Sequence, residues 1–255
     1  MNEPLILLSP SKGMSAELHQ VTEVRDTAPF SNSTKGVWKA VRSLETDEAK
    51  KRFKVSDKMW PEVAALWSSS AKEFLMPTQG VQGLYAYNGE AFKFLDAPTL
   101  DPISKERAGK QLVVLSALYG VVPANAWIRP YRLEMQMKLE VGSAKSLYAL
   151  WKPLLTEWLN AHPSSFIIDA CSGEYSKAVD WKSIEKPIVQ VDFKQRKNGQ
   201  LKSVSAFSKQ ARGAFARWVL AHEVHTISDL ETFDEMGYVL HSNNDNKLVF
   251  LRDSQ

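Results

Sequence analysis

At 255 residues, with 44% hydrophobic and 24% charged side chains, the chain has a globular composition and can bury a sizeable core, which argues against bulk disorder. A net charge of +3 permits an anionic partner without demanding one, so local clustering of charge matters more than the total. The single cysteine, Cys171, excludes an intrachain disulfide and a four-cysteine zinc site, and it fits a reducing compartment. The start, MNEPLILLSP, lacks a basic leader, and no apolar run approaches the ~20 residues of a membrane helix. A cytoplasmic protein without a membrane partner is expected.

Leu5-Ile6-Leu7-Leu8 reads as a central strand buried on both faces, ended by the turn Ser9-Pro10-Ser11-Lys12-Gly13. Ser9 and Lys12 have the serine–lysine spacing of penicillin-recognising enzymes, but the companion motifs are missing. The glycine spacing of a Walker A loop is missing too. An anion-binding turn and a plain turn both remain open. Residues 14–36 show no period and read as an irregular segment.

Val37 to Ser70 reads as helical in at least two pieces, with Ser56-Asp57 as an internal cap. Lys50, Lys51, Arg52, Lys54 and Lys58 cluster there, either as a solvated face or as a contact for a nucleic-acid backbone. Between Thr78 and Ala97, Tyr85, Tyr87, Phe92 and Phe94 surround Asn88-Gly89-Glu90, which suggests a hairpin or a tight turn into a helix.

Leu112-Val113-Val114-Leu115 is a second buried strand. It runs through Ser116, Tyr119 and Gly120 towards a crowd of Arg129, Tyr131, Arg132 and Glu134 around Pro130. Strand-end turns bearing hydroxyls, guanidiniums and carboxylates are where α/β proteins build sites, although these arginines could also pair with Glu134 or Glu140 and only hold a loop. Leu147 to Leu159 has helical spacing, with a kink or restart expected near Pro153. Phe166-Ile167-Ile168 is a third buried strand, running into Asp169-Ala170-Cys171-Ser172-Gly173-Glu174-Tyr175. Three such strand ends brought together would share one cleft. Cys171 reads as a buried thiol or a nucleophile without an indicated histidine partner.

Ile188–Phe193 and Lys202–Phe207 flank Lys197-Asn198-Gly199-Gln200, the strongest hairpin signal in the chain. Ser208 to Val224 is an amphipathic helix, with Ala211, Ala214, Phe215, Trp218 and His222 on one face. Lys209 and Arg212 lie on the other face, and Arg217 lies at its margin. His222 and His225 lack a third ligand for a metal. A terminal hairpin spans Gly237–Leu240 and Lys247–Leu251. There is no repeat, linker or low-complexity segment, so a single domain over residues 1–255 is the simpler count, and no cofactor motif is present.

Taken together, Leu8-Ser9-Pro10-Ser11-Lys12, Val55-Ser56-Asp57-Lys58 and Leu115-Ser116-Ala117-Leu118-Tyr119-Gly120 resemble the YaaA family of bacterial peroxide-stress proteins. So do Arg129-Pro130-Tyr131-Arg132-Leu133-Glu134-Met135, Ser172-Gly173-Glu174-Tyr175 and Lys209-Gln210-Ala211-Arg212-Gly213. The resemblance covers nearly the whole chain in the same order. It implies a compact single-domain α/β fold, a mixed sheet wrapped by helices around a positively charged cleft, and cytosolic DNA binding that limits oxidative damage. It also implies a helix–hairpin–helix element, for which Asp47 to Ala65 is the candidate, without the usual glycine between Lys50 and Trp60. At Tyr87-Asn88-Gly89-Glu90 the chain departs from the family, which often has a lysine before the glycine.

The cleft residues carried over are Ser9, Lys12, Tyr119, Arg129, Tyr131, Arg132, Glu134, Ser172, Glu174, Tyr175, Lys209 and Arg212. Two functions follow. In the first, double-stranded DNA is held without sequence preference by Lys50, Lys51, Lys54, Lys58, Lys209, Arg212 and Arg217. In the second, the protein is an enzyme acting on a nucleobase, nucleotide or related small anion, with Glu174, Glu134 or Tyr175 moving a proton.

Overall fold

The computed structural model describes residues 3–21, 27–197 and 200–253. In chain order these form β1 (Pro4–Leu8), β2 (His19–Gln20), α1 (Ser31–Arg42), α2 (Thr46–Phe53), α3 (Trp60–Leu66), α4 (Ala71–Leu75), β3 (Gln79–Gln82), α5 (Glu90–Leu95) and α6 (Pro102–Gln111). They continue with β4 (Leu112–Ser116), β5 (Gly120–Pro123), β6 (Trp127–Ile128), α7 (Leu147–Ala161), β7 (Phe166–Asp169) and α8 (Gly173–Ser176). The last elements are β8 (Ile188–Lys197), β9 (Gln200–Lys202), α9 (Ser205–Ala221), β10 (Val239–Asn244) and β11 (Lys247–Asp253).

The fold is mixed α/β. Its main sheet has the order β10-β11-β8-β7-β1-β4-β5, with β9 hydrogen-bonded to β8, and β2-β3-β6 form a small second sheet. β11, β8, β7, β1 and β4 run parallel, while β4–β5, β10–β11 and β8–β9 are antiparallel pairs. Every residue of β1, β4 and β7 is buried, as strands covered by helices on both faces require. Pro4 is tolerated in the central strand because it is the first residue.

This strand order places the site. From β1 the chain goes on to β4 on one side, whereas from β7 it goes on to β8 on the other. The crevice between β1 and β7 is therefore where the strand order reverses, the usual ligand position in parallel sheets. Registers Leu7↔Asp169 and Leu8↔Val114 bring the carboxyl ends of β1, β7 and β4 to one edge.

Several expected boundaries shift. The first helix begins at Ser31, inside the stretch expected to be irregular. Of the two readings at Asn88-Gly89, the tight turn into a helix is the one found, with α5 starting at Glu90. Helix α7 continues through Pro153 from Leu147 to Ala161 without restarting. The strand expected over Lys202–Phe207 is short, because α9 begins at Ser205 and takes Phe207 into its first turn. The hairpin tip Asn198-Gly199 lies outside the described residues, and the flanking residues pair antiparallel through Lys197↔Gln200.

Candidate functional site: a cleft at the strand crossover

Two strand-end turns meet at the crevice. The Ser9 hydroxyl, just past β1, accepts the Ser172 N–H at 2.8 Å and donates to the Ser172 hydroxyl at 3.1 Å, just past β7. Beneath them Asp169 accepts the Cys171 N–H at 3.0 Å and the Ser176 hydroxyl at 2.6 Å. Burial raises the Asp169 carboxyl above its usual value despite those donors. Cys171 is buried, and burial first, then the nearby Asp169, pushes its thiol well up, so it sits as an inert thiol.

Above this floor opens a cleft of 410 Å³. Ser9, Lys12, Tyr131, Arg132, Glu134, Ser172, Glu174, Tyr175, Lys209 and Arg212 all line it, so the structure gathers ten of the twelve cleft residues expected from sequence. The other two lie elsewhere. Tyr119 is buried at the β4–β5 turn, where its hydroxyl donates to the Arg129 carbonyl at 3.2 Å. The Arg129 guanidinium donates to the Gln79 carbonyl at 3.1 Å and the Ser69 hydroxyl at 3.0 Å. The third strand end thus buttresses the cleft without opening into it.

Helix α9 brings Lys209 and Arg212 to the cleft because Gly213 lets it lie directly against α5. A Cβ at Gly213 would fall 1.8 Å from the Ala91 carbonyl oxygen. The neighbouring Glu90 also lines the cleft and was not singled out from sequence. Its position, at the start of a helix following Asn-Gly, was the available signal.

The carboxylates of the cleft are all partnered. Glu134 pairs with Lys12 at 2.6 Å and accepts from the Gln136 amide at 3.1 Å. Burial opposes its ionisation, yet Lys12 and Gln136 hold its carboxyl below the ordinary value. Glu174 accepts the Gln136 N–H at 3.2 Å, and Glu90 takes Gln210 at 2.8 Å and Lys93 at 2.9 Å. The cations differ. Arg132 and Arg212 make no hydrogen bond or ion pair among the described residues, and the Nε of each is buried without a hydrogen-bond partner, although the Arg212 charge acts on Asp169 beneath the cleft. Lys209 is exposed and makes no hydrogen bond or ion pair among the described residues, although its charge helps to hold Glu90 low. The cleft carries both signs of charge, and its unsatisfied groups are the positive ones.

The tyrosines of the cleft act through packing. Tyr131 receives the Ser116 hydroxyl at 2.7 Å and shares a hydrogen bond with Tyr87 at 3.2 Å. Burial pushes Tyr131 up to about 12 and Tyr175 well above the usual phenol range, so neither ionises near neutrality.

A second cavity of 280 Å³ adjoins the first at Arg132 and Glu134, which line both. It adds Lys51, Arg52, Lys54 and Lys138. The α2–α3 pair supplies the first three. Lys54 closes α2 in the left-handed conformation at φ 52°, where a glycine would be ordinary, and its N–H caps the carbonyls of Lys50 and Lys51. The remaining sequence candidates lie apart from both cavities. Lys50 is paired with Asp57 at 2.8 Å and Asp47 at 3.8 Å, and Lys58 is exposed on the α2–α3 connection. Arg217 donates to the Leu95 and Asp96 carbonyls at 3.0 and 2.9 Å, capping the end of α5.

A family model described as "Peroxide stress protein YaaA" matches residues 5–244. Among relatives, a UPF0246 protein of Shewanella pealeana is 36% identical over 98% of this chain and 100% of its own length. A UPF0246 protein of Alteromonas mediterranea is 34% identical over 98% and 99%, and one of Flavobacterium johnsoniae is 31% identical over 97% and 99%. In the described residues no helix is long and apolar enough to cross a membrane.

Proposed function

Because the chain belongs to the peroxide stress protein YaaA family, we propose that it binds double-stranded DNA in the cytoplasm, largely without sequence preference, and limits oxidative damage through that contact. One observation carries the reading. Lys51, Lys54, Arg132 and Lys138 line a single groove, the 280 Å³ cavity, together with Arg52, which pairs with Glu48, and among the described residues its only lining carboxylate, Glu134, is already paired with Lys12. Such a groove presents an excess of positive charge to whatever lies along it, and a phosphate backbone supplies the matching row of negative charge. The α2–α3 pair, joined through the left-handed Lys54, presents its turn on the same side as that groove. This is consistent with a helix–hairpin–helix role for Asp47 to Ala65 in which lysine takes the place of the usual glycine. The candidate base contacts are few, so affinity would come from phosphates and not from base edges.

The test is a fluorescence-anisotropy titration of a short duplex at several salt concentrations. Log affinity should fall linearly with log salt, by about 0.9 for each phosphate neutralised. Charge reversal at Lys54 and Lys58 together should flatten that line. Affinity that ignores salt, or duplexes that do not bind even at low salt, would sink the proposal.

A further inference from the structure

The strap of chain that follows β1 is held on two sides by bonds of unequal strength. On one side it is laced to the turn before α5. The Ser15 N–H donates to the Ala86 carbonyl at 2.9 Å, the Asn88 N–H to the Gly13 carbonyl at 3.2 Å, and the Asn88 side-chain amide to the Met14 carbonyl at 3.2 Å. The fit is close, since a Cβ at Gly13 would fall 2.3 Å from the Asn88 side-chain oxygen. On the other side the Met14 sulfur accepts the Tyr131 N–H at 3.3 Å, and among the described residues no other methionine sulfur takes a hydrogen bond. A thioether is a weak acceptor, so this is the soft joint of an otherwise well-bonded strap. Tyr131 itself is fixed from behind: its hydroxyl receives Ser116 at 2.7 Å and shares a bond with Tyr87 at 3.2 Å, and its ring stands edge-on to Tyr119.

Met14 is also within reach of solvent. It is half-buried and lines a third cavity, of 550 Å³, beside the exposed Lys12, Gly13 and Ala16. A peroxide, little larger than water, can enter there. Met135 and Met137 are buried, whereas Met59 and Met76 are exposed but hold nothing through their sulfur among the described residues. Met14 thus combines access with a bond that depends on the sulfur. Oxidation turns the thioether into a polar sulfoxide and inserts an oxygen atom where the Tyr131 N–H now meets sulfur. With Tyr131 anchored, it is the strap that has to give. Lys12, two residues before Met14, covers Glu134 at 2.6 Å, and Glu134 is the carboxylate of the basic groove.

We propose that Met14 is an oxidation site, at which a peroxide converts the thioether to the sulfoxide, opens the joint at Tyr131 and draws Lys12 away from Glu134. A sulfur lone pair attacks one peroxide oxygen, and the S–O bond forms as the O–O bond breaks. The hydrogen on the transferred oxygen passes to the departing one, so that hydrogen peroxide leaves as water. Sulfur gives up two electrons and the peroxide takes them. The change is reversible, because methionine sulfoxide reductases restore the thioether. An uncovered Glu134 adds a negative charge to the groove, so the oxidised protein holds a duplex less tightly. That last step rests on the backbone-binding reading above, whereas the oxidation and the opening do not.

The experiment treats the full chain with hydrogen peroxide and follows the gain of oxygen at each methionine by peptide mass mapping. Met14 should react after the exposed Met59 and Met76 and well before the buried Met135. A Met14 that stays reduced until Met135 reacts overturns the site. The consequences are read in a chain carrying Met59→Leu and Met76→Leu, volume-conserving changes that remove the exposed sulfurs. There, oxidation should speed hydrogen exchange at the Tyr131 amide by about tenfold or more, and a methionine sulfoxide reductase should reverse the change. Unchanged exchange with Met14 oxidised overturns the opening. Duplex affinity at low salt should fall on oxidation and recover on reduction. Adding Met14→Leu should abolish the response of duplex affinity to peroxide, and a response of equal size in that variant overturns the assignment to Met14. Faster exchange with unaltered duplex affinity overturns the link to Glu134. If exchange rises while neither form binds a duplex, the backbone reading fails and the oxidation site stands.

Discussion

The lysine-rich α2–α3 surface and the strand-crossover cleft distribute positive charge in opposite ways. On α2 and its turn the cations are dense in sequence, but two of them are spoken for: Lys50 faces Asp57 and Asp47, and Arg52 reaches Glu48 at 2.5 Å and the Lys138 carbonyl. In the cleft, Arg132 and Arg212 are far apart in sequence, and each arrives with its Nε buried and unpartnered. A run of like charges carries its own counter-charges along the helix, at positions three and four away, and is half neutralised before any ligand comes. Cations delivered singly by different elements have no such neighbours along their own helix, and they pair only where the fold brings a carboxylate opposite, as it does for Lys12 and Glu134. Available charge is therefore set by topology more than by density in the sequence.

The sharpest way to break this contrast is to pull the elements of the cleft apart. Gly213→Ala places a methyl group against the Ala91 backbone, which cannot yield as a flexible side chain would. Overpacking of this kind costs about 1–3 kcal/mol. Chemical denaturation should show that loss, and duplex binding at low salt should weaken because α9 carries Arg212 and Lys209. An unchanged midpoint would mean that the α5–α9 contact is loose and that the cleft is not rigidly assembled. A smaller effect is expected from Ser9→Ala. It deletes the acceptor for the Ser172 N–H and the hydroxyl contact beside it, costing about 1 kcal/mol. Retained stability with retained ligand binding would show that the two strand-end turns do not depend on each other.

Much of this arrangement was legible in the sequence. Continuous apolar runs marked β1, β4 and β7, since strands buried on both faces leave no polar alternation to confuse with a helix. The polar turns after β1 and β7 then named half of the expected residues that line the cleft. Boundaries were harder where tertiary contacts outweigh local preference. Phe207 looked like strand, yet in α9 its ring lies 4.4 Å from the Arg252 guanidinium. Pro153 looked like a kink or a restart, yet α7 continues through it, and Trp151, two residues before it, is fully buried with its indole N–H on the Ala117 carbonyl at 2.8 Å. The stretch from Tyr131 to Val141 alternates buried and outward residues in strand fashion while pairing with no sheet over most of its length. That alternation puts Arg132, Glu134, Gln136 and Lys138 along the groove, and it was hidden because without a ladder there is no strand to predict. Whether a cation ends up paired is not written in the chain at all, because it depends on which elements the fold brings opposite it.

The finest test compares Lys50 with Lys54, four residues apart on the same surface. Lys54 lines the groove and makes no ion pair among the described residues, whereas the Lys50 ammonium lies 2.8 Å from Asp57. The Asp57 hydrogen bond raises the Lys50 pKa, and Lys50 in turn holds Asp57 low, so both stay charged at neutral pH and cancel locally. Lys54→Ala should therefore reduce the salt slope of duplex binding by close to one counterion, and Lys50→Ala by clearly less. Asp57→Asn should act in the opposite direction, freeing the Lys50 ammonium and strengthening duplex binding at low salt. If Lys50→Ala instead matches Lys54→Ala, the Lys50–Asp57 pair opens when DNA binds. The α2–α3 surface would then be as uncommitted as the cleft, and the contrast between the two regions would belong to the free protein alone.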